Sequence, residues 1–304
     1  MNRIPSSELI INSDGSIFHL HLQPHEMADT ILLVGDPGRV EMVASYFDRV
    51  DYRVANREFV TVTGAYRGTP LTVVSTGIGT DNIDIVVNEL DALANIDFAT
   101  RTIKPSHRML TLLRLGTSGA LQADINVGDF VFSDISIGFD GLLNFYARRN
   151  EVCLQDYEAA FVEHMQWSPQ LAAPYFIPAS DKLAALFADS VICGITISAP
   201  GFYGPQGRVL RLPLADAQMN ERIETFTYHN RRITNFEMES SALAGLSKLL
   251  GHKAGTICCI IANRVSKTAL PDYQSNVRCM VEMALDKLGI KNQELLSPTL
   301  ADGQ

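Results

Sequence analysis

Glu237, Met238 and Glu239 stand together in the run Asn-Phe-Glu-Met-Glu-Ser, read here as the start of an otherwise apolar helix. Charges are rarely buried unpaired, so two carboxylates this close to an apolar segment suit ligand groups better than core groups. A carboxylate accepts hydrogen bonds in fixed directions, which fits the vicinal hydroxyls of a sugar, and Met238 would supply an apolar floor. The competing reading is a solvated helix start, where acidic residues meet the positive end of the dipole. Arg39 follows the turn Gly35-Asp36-Pro37-Gly38. Backbone N–H groups and a guanidinium would meet there and form an anion site, unless the turn is an ordinary one and Arg39 faces water. Arg114 lies just before Gly116-Thr117-Ser118-Gly119, inside an apolar strand with no exit to solvent. It requires an anionic partner, whether a ligand or a structural carboxylate.

A second cluster sits in Phe202-Tyr203-Gly204-Pro205-Gln206-Gly207-Arg208, where Gly and Pro mark a loop. An amide offers donor and acceptor side by side, which matches the carbonyl and N–H edge of uracil or thymine, and an aromatic can stack on the ring. A surface loop with solvated Gln206 and Arg208 is the plain alternative. His19, in Phe18-His19-Leu20, alternates with hydrophobes and by itself reads as a strand or surface histidine. No HExxH, GxSxG or GxxxxGK[ST] pattern occurs, and Gly77-Ile78-Gly79 is not completed to GxGxxG because position 82 is Asn. The chain therefore asks for a small anion such as inorganic phosphate, with no nucleotide cofactor and no metal.

The elements that must position these groups alternate between short apolar strands and helical periodicity, the pattern of an α/β fold. Ile31 to Val34 reads as a strand followed by a helix from about Arg39 to Phe47, and Leu71 to Ser75 as a strand followed by a helix from about Ile83 to Leu93. Leu112 to Leu115 reads as a strand ending in Gly116-Thr117-Ser118-Gly119, and Thr256 to Ile261 as one ending in Asn263-Arg264. Glycine or a small polar residue thus falls at the carboxyl end of each strand, the edge where open α/β sheets bind ligands. The polar stretch Ala99 to Ser106 reads as a surface loop, and the region 142–178 is mixed, broken by Trp167-Ser168-Pro169 and Ala173-Pro174. With no linker composition or internal repeat, one domain over residues 1–304 is the simpler organisation.

Composition narrows the class further. A chain of 304 residues, 46% hydrophobic, can bury a large core, and a net charge of -9 argues against a general nucleic-acid or membrane-surface binder. Five cysteines without CxxC spacing indicate neither a disulfide framework nor a zinc site, and point to a reducing, cytoplasmic setting. The N-terminus has no signal-peptide core, and the apolar run Ala254 to Ala262 is too short to span a bilayer.

Read in order, Gly-Asp-Pro-x-Arg-Val, Arg-Glu-Phe, Ser-Thr-Gly-Ile-Gly, Arg-Leu-Gly-Thr-Ser-Gly, Phe-Tyr-x-x-Gln-x-Arg, Glu-Met-Glu-Ser and Asn-Arg resemble the nucleoside phosphorylases of the uridine phosphorylase type, from about Phe18 to Arg264. The resemblance implies a single-domain three-layer α/β/α fold with a mixed, twisted central sheet and an active site completed across a homodimer; some members assemble such dimers into hexamers. It implies phosphorolysis of uridine, deoxyuridine or thymidine with inorganic phosphate as co-substrate. Gly35, Arg39, Arg114 and Thr117 would hold phosphate, joined by Arg57 of a neighbouring subunit. Met238 and Glu239 would hold ribose, helped by the neighbour's His19. Gln206 and Arg208 would read the base, with Phe202, Ser118, Gly119, Glu237 and Ile261 around the ring and Arg264 closing the site. Among these, Arg114, Arg208, Gln206 and Glu239 would carry the catalysis. Glu58 and Ser75 match positions that hold a monovalent cation between subunits in hexameric relatives. Asn263 falls in the segment where hexameric purine phosphorylases carry an acid for the purine, and that Asp is absent here. A purine phosphorylase, a hydrolytic nucleosidase and a silent nucleoside-binding protein are the rival readings, and the stretches 99–108 and 142–178 depart from the short bacterial pattern.

Overall fold

The computed structural model describes residues 3–296, with side chains described through residue 289. β1 (Thr30–Val34) is buried along its length and runs through Gly35 into α1 (Pro37–Ala44). Asp36 caps this helix by accepting the Gly38 N–H at 2.9 Å, and Pro37 takes the first turn, where a missing N–H costs nothing. β2 (Arg49–Asn56), β3 (Phe59–Tyr66) and β4 (Thr69–Ser75) form an antiparallel meander. β2 is the exposed edge, and its Arg49, Asp51 and Arg53 discourage strand addition. α2 (Thr80–Asn95) returns over the sheet with Ile83, Val86, Val87, Leu90 and Leu93 buried at helical spacing.

β5 (Ile96–Asp97) and β6 (Thr102–Ile103) pair as a small ribbon where the polar composition suggests only a loop. The reason is Arg101, whose guanidinium donates to the carbonyls of Ile4, Pro5 and Leu9 and so ties the N-terminal segment to this turn. The chain continues through β7 (Thr111–Ala120), β8 (Phe130–Gly138), α3 (Arg149–Val152), α4 (Gln155–Met165), β9 (Tyr175–Pro178), α5 (Asp181–Phe187) and β10 (Ile192–Ser198). It ends with α6 (Met219–Thr225), β11 (Thr227–Tyr228), β12 (Arg231–Glu237), α7 (Ser240–Leu249), β13 (Lys253–Asn263), β14 (Thr268–Ala269) and α8 (Gln274–Leu296).

The sheet is mixed, as expected. β1 lies parallel between β4 and β7, β7 parallel to β13, and β10 parallel to both β8 and β12, while β8 opposes β13. Alternation along β1 supplies both faces: Ile31 and Leu33 join the core under α2 and α7, whereas Leu32 and Val34 join the core under α1, α5 and α8. β12 also pairs antiparallel with the far end of β7, Asn235 opposite Ala120 and Phe236 opposite Gly119. The strands β7, β13, β8, β10 and β12 therefore close into a ring, a feature the strand pattern does not announce. Within region 142–178, α4 and β9 place Tyr157, Phe161, Met165 and Phe176 in a third core with Phe226 and Phe236.

Two boundaries differ from the sequence reading. Gly116-Thr117-Ser118-Gly119 does not end β7 but continues it, paired along β13 from Cys258 opposite Gly116 to Ile260 opposite Ser118. Gly116 sits there because a Cβ would collide with the Arg114 guanidinium and lie 3.1 Å from Cys258 Sγ. Glu237-Met238-Glu239 is not a helix start throughout: Glu237 ends β12, and Glu239 is the N-cap position of α7.

Candidate active site

The carboxyl ends of β1, β4, β7, β10 and β12 converge on one edge, and the charged groups collect there. Arg114 is 5% exposed. Its Nη2 donates to Glu239 Oε2, and its Nη1 lies 3.5 Å from Glu237 Oε2. The structural-carboxylate alternative thus describes the pairing seen in the chain by itself. It does not satisfy the guanidinium, because Nε and Nη1 are buried without a hydrogen-bond partner. Such N–H groups suit a small anion. Arg39 arrives beside them from α1, with Nη1 donating to Leu115 O at 3.1 Å. Burial lowers its pKa, and the neighbouring Arg114 charge lowers it further. Two guanidiniums this close favour an anion between them. Gly35 lines the same space: a Cβ there would stand 3.8 Å from Arg114 Nη2 and 3.5 Å from Gly77 O. Thr117, half-buried on β7, stands on the same strand beyond Arg114.

The two carboxylates have different jobs. Glu239 Oε1 accepts the Gly79 N–H at 2.8 Å, made available by a left-handed Gly77 and a φ of +99° at Gly79. Burial raises the Glu239 pKa, opposed by the Arg114 charge. Glu237 is filled: its carboxylate accepts from Ser198 Oγ at 2.5 Å, Ser240 Oγ at 2.8 Å, and the N–H groups of Glu239 and Ser240. It closes the N-terminus of α7, so the dipole argument holds for Glu237. Met238 is half-buried between them.

The base-reading candidates also assemble. Gln206 is 3% exposed, and its Oε1 accepts from Arg208 Nη1 at 2.6 Å and from Arg264 Nη2 at 3.0 Å. The solvated-loop alternative therefore fails for Gln206. Arg208 lies over the Phe202 ring at 3.7 Å, so this aromatic face is occupied by the guanidinium. Arg264 donates to Gln206 O as well, covers the Phe236 ring at 4.9 Å and approaches Gly119. Burial, with Arg208 nearby, lowers its pKa to about 10. Ser118 Oγ accepts from Asn235 Nδ2 at 3.0 Å, and Ile261 is half-buried on β13. Asn263 is spent on structure: its amide donates to Gln122 O and Ile125 O and accepts the N–H groups of Val265 and Ser266.

The segments that carry His19 and Arg57 are joined to each other. Asn56 Nδ2 donates to His19 O at 2.8 Å, and Arg57, left-handed at φ +54°, projects over Phe18. No hydrogen bond or ion pair among the described residues joins either to the anion site. Ser75 Oγ donates to Glu58 O and accepts the Val60 N–H, while the Glu58 side chain is exposed, so in a single chain the two do not form a cation cage. Asp91, His107 and His252 also lie close enough to share a metal. His252 Nδ1 accepts the Leu110 N–H, however, which places the ring proton on Nε2 facing Asp91 and leaves no free lone pair.

Three residues that the sequence reading passes over matter to the site. Asn235 orients Ser118, Ser198 holds Glu237, and Cys258 lies beneath Arg114. Small polar residues inside apolar strands, as in Thr234-Asn235 and Ile197-Ser198, are the available signal. A cavity of about 710 Å³ opens on the outer side of the Gln206 loop, lined by apolar side chains including Trp167, Tyr203, Leu212 and Met219.

The chain is similar to several known proteins. The uridine phosphorylase of Thermococcus kodakarensis is 29% identical over 272 residues, covering 88% of this chain and 84% of that protein. The guanosine phosphorylase of Halorubrum lacusprofundi is 27% identical, covering 82% and 84% respectively. The crystal structure of a Trypanosoma brucei nucleoside phosphorylase, described as showing uridine phosphorylase activity, superposes with a TM-score of 0.82 at 29% identity, covering 93% of this chain and 99% of that one. Residues 29–285 match the family model of the phosphorylase superfamily, and the chain belongs to that family.

Proposed function

We propose that this chain is a uridine phosphorylase, a pentosyltransferase that reversibly converts uridine and inorganic phosphate to uracil and ribose 1-phosphate without a cofactor. The observation that carries the reading is the Arg114 guanidinium, buried with two nitrogens, Nε and Nη1, lacking hydrogen-bond partners, between Arg39 and Glu239. Phosphate drawn to those groups would lie next to the carboxylate assigned to the ribose hydroxyls, so the nucleophile and the sugar share one wall. As the bond between the base nitrogen and C1′ breaks, the base leaves with the electron pair and a phosphate oxygen bonds to C1′. Glu239 faces the positive charge that develops on the sugar, and Arg208 the negative charge on the base; positioning and fixed electrostatics do this without a covalent intermediate. Because Gln206 Oε1 is held by two arginines, its amide N–H groups are left for a base carbonyl. Guanine offers a carbonyl beside an N–H too, and the Halorubrum relative makes that the second reading. Engagement of Asn263 leaves it without a proton for a purine ring. A nucleoside panel in saturating phosphate tests the choice: uridine should be cleaved fastest, with inosine, guanosine and adenosine almost untouched. Faster cleavage of guanosine than uridine would overturn the pyrimidine assignment and leave the phosphorylase assignment standing.

The same reading makes the chain one domain acting as a homodimer, with the partner subunit's Arg57 and His19 completing each site. The lack of any hydrogen bond or ion pair, among the described residues, between these two and Arg114 on their own chain supports it. Arg57→Ala and Glu239→Gln proteins, each inactive alone, should regain activity when co-assembled, since one site of a mixed dimer is intact. No recovery in demonstrably mixed oligomers would contradict a shared site. We place the protein in the cytoplasm: all five cysteines are free, and no helix among the described residues is long and apolar enough to cross a membrane.

A further inference from the structure

Arg114 Nη1 stands 3.5 Å from Glu237 Oε2 and has no hydrogen-bond partner among the described residues. A buried guanidinium beside a buried carboxylate would ordinarily close such a gap, because both groups gain from a charge-assisted bond. Glu237 does not close it because its oxygens are already occupied. Oε2 accepts the N–H groups of Glu239 and Ser240, each at 2.9 Å. Oε1 accepts Ser198 Oγ at 2.5 Å and Ser240 Oγ at 2.8 Å. Of the donors just named, Ser198 alone stands outside the start of α7, at the end of β10, and it is wholly buried. Its hydroxyl also accepts the Ser241 N–H at 2.9 Å, and Ser241 is held in turn by Asp140, whose Oδ2 accepts Ser241 Oγ at 3.1 Å. A carboxylate can only accept, so the short contact to Glu237 takes the Ser198 proton.

We propose that Ser198 is a positioning residue for the phosphate step: by anchoring Glu237 through Oε1, it keeps that carboxylate from capturing Arg114 Nη1 and so leaves Nη1 for the anion. This rests on the reading that phosphate binds at Arg114. Glu239 already holds Nη2 of the same guanidinium. If Glu237 took Nη1 as well, Arg114 would be spent on two carboxylates and would offer little to a third acceptor. Removing the Ser198 hydroxyl takes away the shortest contact that Glu237 makes and leaves more of its charge to be met by Arg114. Ser198 acts through Glu237 and not on the substrate. A buried hydroxyl among the apolar residues of β10 is costly unless it is bonded, so its place there is explained by the acceptor it serves.

The experiment titrates inorganic phosphate by calorimetry into the full-length wild type, Ser198→Ala and Arg39→Ala proteins, and measures KM for phosphate and for uridine in each. Ser198→Ala should weaken phosphate binding and raise its KM by about tenfold, the value of one hydrogen bond, while KM for uridine at saturating phosphate stays within about twofold. Unchanged phosphate affinity would overturn the proposal. So would an equal loss for both substrates, because that is the mark of a merely structural role. If Arg39→Ala also leaves phosphate affinity unchanged, the anion site itself is misplaced; if it abolishes binding and Ser198→Ala has no effect, only the Ser198 proposal fails. Ser198→Cys, close in size and a weaker donor, is read by the same split should the Ala variant not fold.

Discussion

Arg114→Ala is expected to lose activity and stability together. The contact proposed between Arg114 and phosphate would be charge-assisted, worth roughly 1.5–3 kcal/mol, or about tenfold to more than a hundredfold in kcat/KM. The variant would also leave Glu237 and Glu239 buried with their shared cation gone, and breaking a buried pair in this way costs about 3–5 kcal/mol. The two effects compound. Burial already pushes the Glu239 pKa up, opposed first by the Arg114 charge and then by backbone N–H donation to the carboxylate. Without that guanidinium the pKa would rise further, and a carboxyl that takes up a proton accepts ribose hydroxyls less well. The check is a thermal unfolding curve alongside phosphate-dependent kinetics. A folded variant with an unchanged phosphate KM would remove Arg114 from the anion site.

Omitting phosphate should reduce base release from uridine to background. In the proposed dimer Arg39, Arg114 and the neighbour's Arg57 would cradle an anionic nucleophile, whereas a hydrolase activating water gains nothing from three guanidiniums. The measurement is uracil formation in phosphate-free buffer against a phosphate titration, with the protein freed of carried-over anion. Equal rates in the two conditions would replace phosphorolysis by hydrolysis. A silent binding protein would release no base in either.

Much of the site was legible because its residue types are costly where they stand. An arginine inside Leu-Leu-Arg-Leu and a Glu pair beside an apolar helix each required a partner, and Arg114 meets both carboxylates. Division of labour between those carboxylates was not legible. Spacing cannot show that Ser198, on a different strand, fills Glu237 and leaves Glu239 for Arg114. Nor could composition distinguish a solvated Gln206 from one clamped by Arg264, since the clamp joins positions 58 residues apart. Strand periodicity located β1, β4 and the first half of β7. It misread Gly116 to Gly119 as a stop, because glycine marks turns as often as it marks close approach, here by the guanidinium folded back over the strand. The ribbon at β5 and β6 depends on Arg101 reaching the N-terminal segment, a tertiary cause that local polarity does not reveal.

The closure of β12 onto β7 bears on how the protein acquires its activity during synthesis. Ser118 and Asn235, 117 residues apart, touch only once that seam is formed, and the same strand end delivers Glu237 and the start of α7. Long-range strand pairing pays its loop entropy before it returns any contact energy. A nascent chain can therefore dock α1 and α2 on the first strands early, while the carboxylates and the arginines still stand on separate parts of the polypeptide. Catalytic competence is then a late event of folding, reached when the ring of strands shuts.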